Sequence, residues 1–147
     1  TGACPVAPKA LASPPVSIEK LLHADAQMVG FERVQFGRSW FADTQTRQTF
    51  VLSDTCFATA RQCQVGVKIG PLYAQTSTEV ETLLAAIAAR YPNQTLILDV
   101  PDTSHELQRY LRRANFQPAF ETLRMYRGTA PQAELPAFSA TATLELG

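Results

Sequence analysis

The sequence predicts an α/β domain with a mixed sheet, in which helices flank a central pair of parallel strands. Residues 65–69 alternate valine and isoleucine with glycine and lysine, which is the period of a strand with one buried face. Residues 95–100, TLILDV, form a nearly continuous apolar run, as expected of a parallel strand covered on both faces. An amphipathic helical pattern follows each of these strands, and strand–helix–strand connections favour parallel neighbours.

Two helices and a hairpin precede this unit. The apolar spacing over residues 17–41 predicts two short helices that are broken near Gly30. Residues 48–52 and 55–64 are rich in β-branched and aromatic side chains, and the polar pair at 53–54 separates them. This pattern is typical of two antiparallel strands joined by a turn.

Two overlapping capping boxes mark the start of the helix after the first parallel strand. Thr76 and Glu79 are three residues apart, as are Thr78 and Glu81. Either threonine could accept a hydrogen bond from the first turn while its glutamate reaches back, so both N-caps stay open. The apolar stripe of this helix consists of Val80, Leu83, Leu84, Ile87, Ala88 and Tyr91.

A second helix and a last strand complete the predicted sheet. Thr103 and Glu106 form another capping box, which predicts that the helix after TLILDV begins there. Its buried stripe contains Leu107, Tyr110, Leu111 and Ala114. Residues 119–128, AFETLRMYRG, predict the final strand.

The composition sets the domain boundaries. Residues 1–16 are rich in proline and alanine and predict a linker or extended lead-in, residues 17–130 form the predicted domain, and residues 131–147 form a tail. Within the tail, ATLEL at 142–146 favours a short strand.

Charge and cysteine content exclude several classes of function. Thirteen basic and thirteen acidic side chains cancel, so no net field draws the chain of 147 residues to nucleic acid or to an anionic membrane. No apolar run approaches membrane-spanning length. The three cysteines lack the close Cys/His pairs of zinc sites. We therefore expect a cytoplasmic protein with reduced cysteines and neither a metal, a nucleic-acid partner nor a membrane partner.

Three stretches carry a resemblance to a known family. They are KIGPLYA (68–74), ILDVP (97–101) and NFQPAFETLRMYRG (115–128). In this order they resemble the second lobe of tandem GNAT-type N-acetyltransferases, over roughly residues 18–129. The resemblance implies the GNAT fold and transfer of an acetyl group from acetyl-CoA to an amine that the sequence does not identify. It also implies a partner, either an N-terminal GNAT lobe or a second copy of the chain.

The resemblance places a coenzyme A loop at residues 75–80. In the superfamily a Gln/Arg-x-x-Gly-x-Gly/Ala loop leads into a helix whose N-terminal amides bind pyrophosphate, because unpaired N–H groups attract anions. Here Thr78 and Val80 stand at both glycine positions, and Glu79 adds negative charge. An ordinary self-capped helix explains the same residues. The candidate cofactor-binding residues are Gln75, Thr76, Ser77 and Thr78.

Three residues are candidates for catalysis. The resemblance expects the tyrosine that reprotonates the leaving thiolate at Leu111, and Tyr110 is its neighbour on the buried stripe, which favours a core tyrosine. Asp99 ends the second parallel strand and could act as a base or bind loop amides. His105 opens the next helix and could transfer protons, or simply be exposed.

Two interpretations of function follow. In the first the chain acetylates an amine with acetyl-CoA, and Arg124 and Tyr126, on one face of the last strand, line the acceptor pocket. In the second it is a non-catalytic GNAT-like lobe that forms an acceptor pocket or an interface with a catalytic lobe, because the glycines of the loop are replaced.

Overall fold

The computed structural model describes residues 16–144 and shows four helices and five strands in that range. In chain order they are α1 (Ile18–Val29), α2 (Val34–Phe41), β1 (Arg47–Ser53), β2 (Cys56–Cys63), β3 (Gly66–Ala74), α3 (Ser77–Arg90), β4 (Leu96–Leu98), α4 (His105–Arg113) and β5 (Phe138–Ala140). The predicted linker lies outside the described residues, apart from Val16. None of the described helices is both long and apolar enough to cross a membrane.

The sheet is mostly antiparallel. Strands β1, β2 and β3 form an antiparallel meander, and β2 pairs with β3 along most of its length. On the other edge of β3, β4 runs parallel from the Val67–Leu96 pair to the Ile69–Leu98 pair. The remainder of that edge pairs antiparallel with β5, as at Leu72–Ala140. The expected α/β class with helices around one sheet is confirmed.

Apolar clusters cover the two faces of the sheet. Side chains alternate along a strand, so β2 directs Ala58 to the α3 side and Phe57 to the α1 side. The ring of Phe57 is fully buried and meets Phe41 and Tyr73 edge to face, with centroid separations of 5.5 and 5.3 Å. This aromatic group fixes α1 and α2 against the C-terminal half of β3.

Helix α1 ends at a glycine, as predicted. Gly30 has φ of 88°, and its backbone N–H donates to the Ala26 carbonyl. A Cβ at this position would lie 2.2 Å from the carbonyl oxygen of Gln132. Glycine is therefore required twice here, by the left-handed backbone and by the chain segment that crosses over it.

The prediction of a strand at residues 119–128 is wrong. This segment contains no helix or strand and is exposed throughout, with Leu123 84% and Met125 82% accessible. A strand needs a free edge. The edge of β3 is shared by β4 and β5, and the free outer edge of β4 offers only three residues to a strand of ten. Residues 123–126 of this segment instead line a cavity together with Val29 and Phe31 at the end of α1.

Two further details differ from the predictions. The strand of the tail is β5 at 138–140, upstream of the predicted 142–146, of which 145 and 146 lie outside the described residues. The N-cap of α4 is Ser104 and not Thr103, and its side chain makes no capping hydrogen bond. The reason is that the buried Ser104 hydroxyl accepts from the Ser139 amide at 2.9 Å and so ties α4 to β5.

Candidate functional site

A cavity of about 390 Å³ lies between the end of α1, strand β5 and residues 123–126. Its volume falls in the range of small-molecule sites. Most of the lining is apolar. The lining residues include Phe31, Tyr73, Pro101, Arg124, Tyr126 and Ser139.

A buried ionic network supports the wall of this cavity. The Tyr73 hydroxyl donates to Oδ1 of Asp25 at 2.7 Å. The Arg33 guanidinium donates to both carboxylate oxygens of Asp25, from Nε at 2.7 Å and from a terminal nitrogen at 2.9 Å. Asp25 is only 1% exposed, so its charge is stable there because both oxygens are paired.

The network holds Tyr73 in its neutral form. Burial raises the pKa of Tyr73 well above its usual value, and the negative charge of Asp25 raises it further. Burial by itself would lower the pKa of Arg33, but hydrogen bonding and the charge of Asp25 reverse this, so the pKa is raised. At physiological pH the cavity wall therefore contains a protonated phenol whose proton is directed at Asp25.

Ser139 lines the cavity and has a buried hydroxyl without a hydrogen-bond partner in the described part of the chain. The residue is 1% exposed and lies on β5. Its amide donates to Ser104, but its Oγ has no hydrogen-bond partner among residues 16–144. A buried polar group without a partner is costly, and a ligand in the cavity could supply one.

The predicted cofactor loop forms a closed capping box. Thr76 is the N-cap and its Oγ1 accepts from the Glu79 amide at 3.2 Å, which decides between the two predicted caps. The Glu79 carboxylate accepts from the backbone N–H groups of Gln75 at 2.7 Å and Thr76 at 3.2 Å. The carboxylate of Glu79 thus brings a negative charge to the start of α3, and this like charge opposes the binding of a pyrophosphate there.

Asp99 and His105 lie apart from the cavity lining. The Asp99 carboxylate forms an ion pair with the Lys68 ammonium at 2.7 Å. Within residues 16–144 it accepts no hydrogen bond from a loop amide, so the prediction that it binds loop amides is wrong. Its backbone carbonyl accepts from the Thr141 amide at 2.8 Å. His105 is exposed at the first position of α4. Their roles as base or proton carrier stay predictions.

Tyr110 packs against the core. It is half-buried beside the α3 cluster, and burial, followed by the charge of Glu81, raises its pKa. The structure thus places Tyr110 at the edge of the core, on the side that the helical stripe predicted. Its role as an acid also stays a prediction.

None of the residues chosen as catalytic or cofactor-binding lines the cavity, whereas Arg124 and Tyr126 do. Sequence analysis missed Asp25, Arg33 and Ser139. One signal was available. Asp25 lies in the apolar stripe of α1, four residues after Leu21 and three before Met28, where an acidic residue requires a buried partner. No signal marked Ser139. Within the described residues no group of His, Cys, Asp or Glu could hold a metal ion.

Comparison with known proteins connects this fold to a family. The family model described as "Acetyltransferase (GNAT) domain" matches residues 21–136, which is most of the chain. The chain belongs to the GNAT acetyltransferase family. The resemblance noted from the sequence is thereby confirmed at the level of the superfamily, and acyltransferase chemistry is the activity of the family.

One curated relative of this GNAT domain is the holothin acyltransferase of Pseudoalteromonas sp. (strain SANK 73390). The two are 30% identical over 136 residues, which cover 89% of this chain and 46% of the relative. The chain therefore spans about half the length of the curated relative that it matches. No solved structure matches it.

Proposed function

We propose that the chain forms the acceptor-binding half of a GNAT N-acyltransferase, with the acyl acceptor in the cavity beside Tyr73 and Ser139. The unpartnered hydroxyl of Ser139 carries the proposal, because it is buried, belongs to a residue that lines the cavity and needs a hydrogen-bond partner. Family membership supports the reaction class. Acetyl transfer from acetyl-CoA to an amine is the specific reaction we propose.

The cavity suits a neutral amine on an apolar body. An amine attacks an acyl group only in its unprotonated form, and an apolar site lowers the pKa of a bound ammonium group. The positive charge of Arg124, which is among the lining residues, disfavours a second positive charge as well. The Tyr73 hydroxyl donates a hydrogen bond to Asp25, and its oxygen keeps lone pairs that can accept a hydrogen bond from an N–H group of the acyl acceptor. Ser139 can donate to a carbonyl of the same molecule.

The acyl donor belongs, in this proposal, to another lobe. The Glu79 carboxylate accepts from the Gln75 and Thr76 amides at the start of the predicted coenzyme loop, so a coenzyme phosphate bound there would meet a like charge. A relative of about twice this length leaves room for a second lobe with its own donor site. This chain then contributes the orientation of the acceptor, which is a major part of the catalysis of a two-substrate reaction.

A second candidate is a self-sufficient acetyltransferase. The family match extends over residues 21–136 and includes the start of α3, where the hydroxyls of Thr76, Ser77 and Thr78 can donate to an anion. This candidate requires the Glu79 carboxylate to leave the amides when the donor binds.

Calorimetric titration of this chain with acetyl-CoA and with CoA separates the two candidates. The acceptor-lobe proposal expects no heat of binding up to millimolar ligand, whereas micromolar binding would favour the self-sufficient enzyme. A screen of amines by thermal melting then tests the cavity, since a ligand of the folded state raises the melting temperature. Hits should lose about tenfold in affinity in Ser139→Ala, through one lost hydrogen bond, and keep it in the distant control Ser53→Ala. Equal affinity in both variants would refute the cavity as the acceptor site.

A further inference from the structure

We propose that the face of the sheet at the start of β3 is a second binding site, specific for a phosphate group and formed chiefly by Arg47 and Arg61. The strand register places Arg47 of β1 opposite Arg61 of β2, and Arg61 opposite Lys68 of β3. Directly paired residues share one face, with neighbouring strands about 4.8 Å apart. Three cations therefore form a row across three adjacent strands.

Only part of this positive charge is neutralised. Lys68 pairs with Asp99 at 2.7 Å. Among residues 16–144, no carboxylate lies in ion-pair range of Arg47 or Arg61. Like charges directly opposite on two strands destabilise a sheet. The chain has as many acidic as basic side chains, so the missing counter-charge is a local feature of this face.

Aromatic packing holds the two guanidinium groups in place. They lie over the ring of Trp40, at 5.1 Å for Arg47 and 5.4 Å for Arg61. The Trp40 indole N–H is fixed by the Gly70 carbonyl at 2.8 Å, and Phe36 stacks on the ring at 5.0 Å. Such cation–π contacts are stabilising and keep both charges side by side without a carboxylate. The site is thus arranged before any ligand binds.

The hydrogen-bonding state of these arginines identifies the ligand class. Arg47 uses one terminal nitrogen on the Ser39 carbonyl at 2.7 Å, and the Nε atoms of Arg47 and Arg61 are buried and have no partner within the described residues. Two neighbouring guanidinium groups match the several oxygens of a phosphate, which arginine binds with paired hydrogen bonds. Trp40 is already covered by Phe36 and the guanidinium groups, so a stacked base is not expected to add to binding.

This site is separate from the cavity. Lys68 and Tyr73 are five residues apart on β3, about 16 Å along a strand, and neither arginine lines the cavity. The proposal therefore does not depend on where the acyl acceptor binds.

Binding of inorganic phosphate and of pyrophosphate to the whole chain tests the site. Calorimetry and thermal melting are run at low salt, with sodium chloride of equal ionic strength as the reference, because screening alone changes the stability of a charged row. We expect both anions to raise the melting temperature beyond the chloride reference. A stronger effect of pyrophosphate would indicate a diphosphate ligand, and an equal effect a monophosphate ligand.

Substitution locates the binding. Arg61→Gln and Arg47→Gln should each weaken phosphate binding about tenfold or more, since each removes a charged hydrogen-bonding partner. Arg112→Gln on the exposed face of α4 is the matched control and should bind as the unmodified chain does. Wild-type protein that responds to phosphate as it does to chloride, or equal weakening in all three variants, would overturn the proposal.

Discussion

Replacing Asp25 by asparagine tests the ionic network behind the cavity. The change keeps the size of the side chain but removes the negative charge that pairs with Arg33 at 2.7 Å in a site only 1% exposed. Loss of one partner of a buried ion pair typically costs 3–5 kcal/mol, so we expect about 3 kcal/mol of lost stability. For a domain of this size that corresponds to a fall of about 10 °C in melting temperature.

Tyr73→Phe separates the hydrogen bond from the charge. It removes only the 2.7 Å bond from the phenol to Asp25, and the two bonds from Arg33 remain. A hydrogen bond to a charged group contributes about 1.5–3 kcal/mol, so this variant should lose roughly half as much stability as Asp25→Asn. Urea unfolding with an unchanged m-value measures both free energies.

The pH dependence of Tyr73→Phe has a defined sign. Burial, and then the charge of Asp25, raise the pKa of Tyr73 in the folded state. The contribution of the Tyr73 hydroxyl to the free energy of unfolding is therefore complete below about pH 10, where the tyrosine of the unfolded state is also neutral. Above pH 10 only the unfolded state ionises, so the wild-type protein loses about 1.4 kcal/mol per pH unit relative to Tyr73→Phe. The stability curves of the two proteins should therefore converge as the pH rises from 10 to 11.

An exposed control decides whether the reasoning holds. Asp54→Asn, in the turn between β1 and β2, changes the same charge without a buried partner and should stay within about 0.5 kcal/mol of wild type. If Asp25→Asn is as stable as Asp54→Asn, Asp25 is not a buried charge in the native state. A constant gap between wild type and Tyr73→Phe up to pH 11 would show that the phenol is not held neutral.

Three further predictions follow from local geometry. Thr76→Ala should cost about 1 kcal/mol in urea unfolding because it removes the N-cap of α3, whereas Thr78→Ala should cost clearly less. Cys63 should react with iodoacetamide in the native protein and Cys56 should not, because burial and then the charge of Glu79 raise the pKa of the Cys56 thiol to about 12. Peptide mass mapping measures the labelling of each cysteine, and equal labelling of the two would contradict a buried Cys56 thiol. Gly30→Ala should destabilise the protein by more than about 1 kcal/mol, since the residue has φ of 88° and a Cβ would lie 2.2 Å from the Gln132 carbonyl oxygen. An unchanged melting temperature would contradict this close contact between Gly30 and the chain at Gln132.

Local patterns predicted much of the fold because they depend on neighbours in sequence. The box formed by Thr76 and Glu79 needs only the first turn of α3, and it is present as predicted. Gly30 likewise ends α1 where the apolar period breaks. The Thr103 box failed because Ser104 hydrogen-bonds to β5, a contact 35 residues away in the chain.

The candidate site could not be predicted in the same way. Asp25, Arg33 and Tyr73 meet only after α1 has packed on β3, and Tyr73 is 48 residues from Asp25. The sequence does show an acidic residue within an apolar stripe, but it does not show which basic side chain forms an ion pair with it. Arg124 and Tyr126 line the cavity although the strand that was to carry them does not form.

The sequence by itself determined the α/β class, the helices and the four strands before α4, and the family resemblance, because side-chain period, caps and short motifs are properties of contiguous residues. The tertiary structure decided which edge each strand occupies, that residues 119–128 remain unpaired, and that Arg47, Arg61 and Lys68 form one row. These outcomes depend on which strand edges come together and on strand register. Both are set by contacts between residues that are distant in the chain, which no local pattern contains.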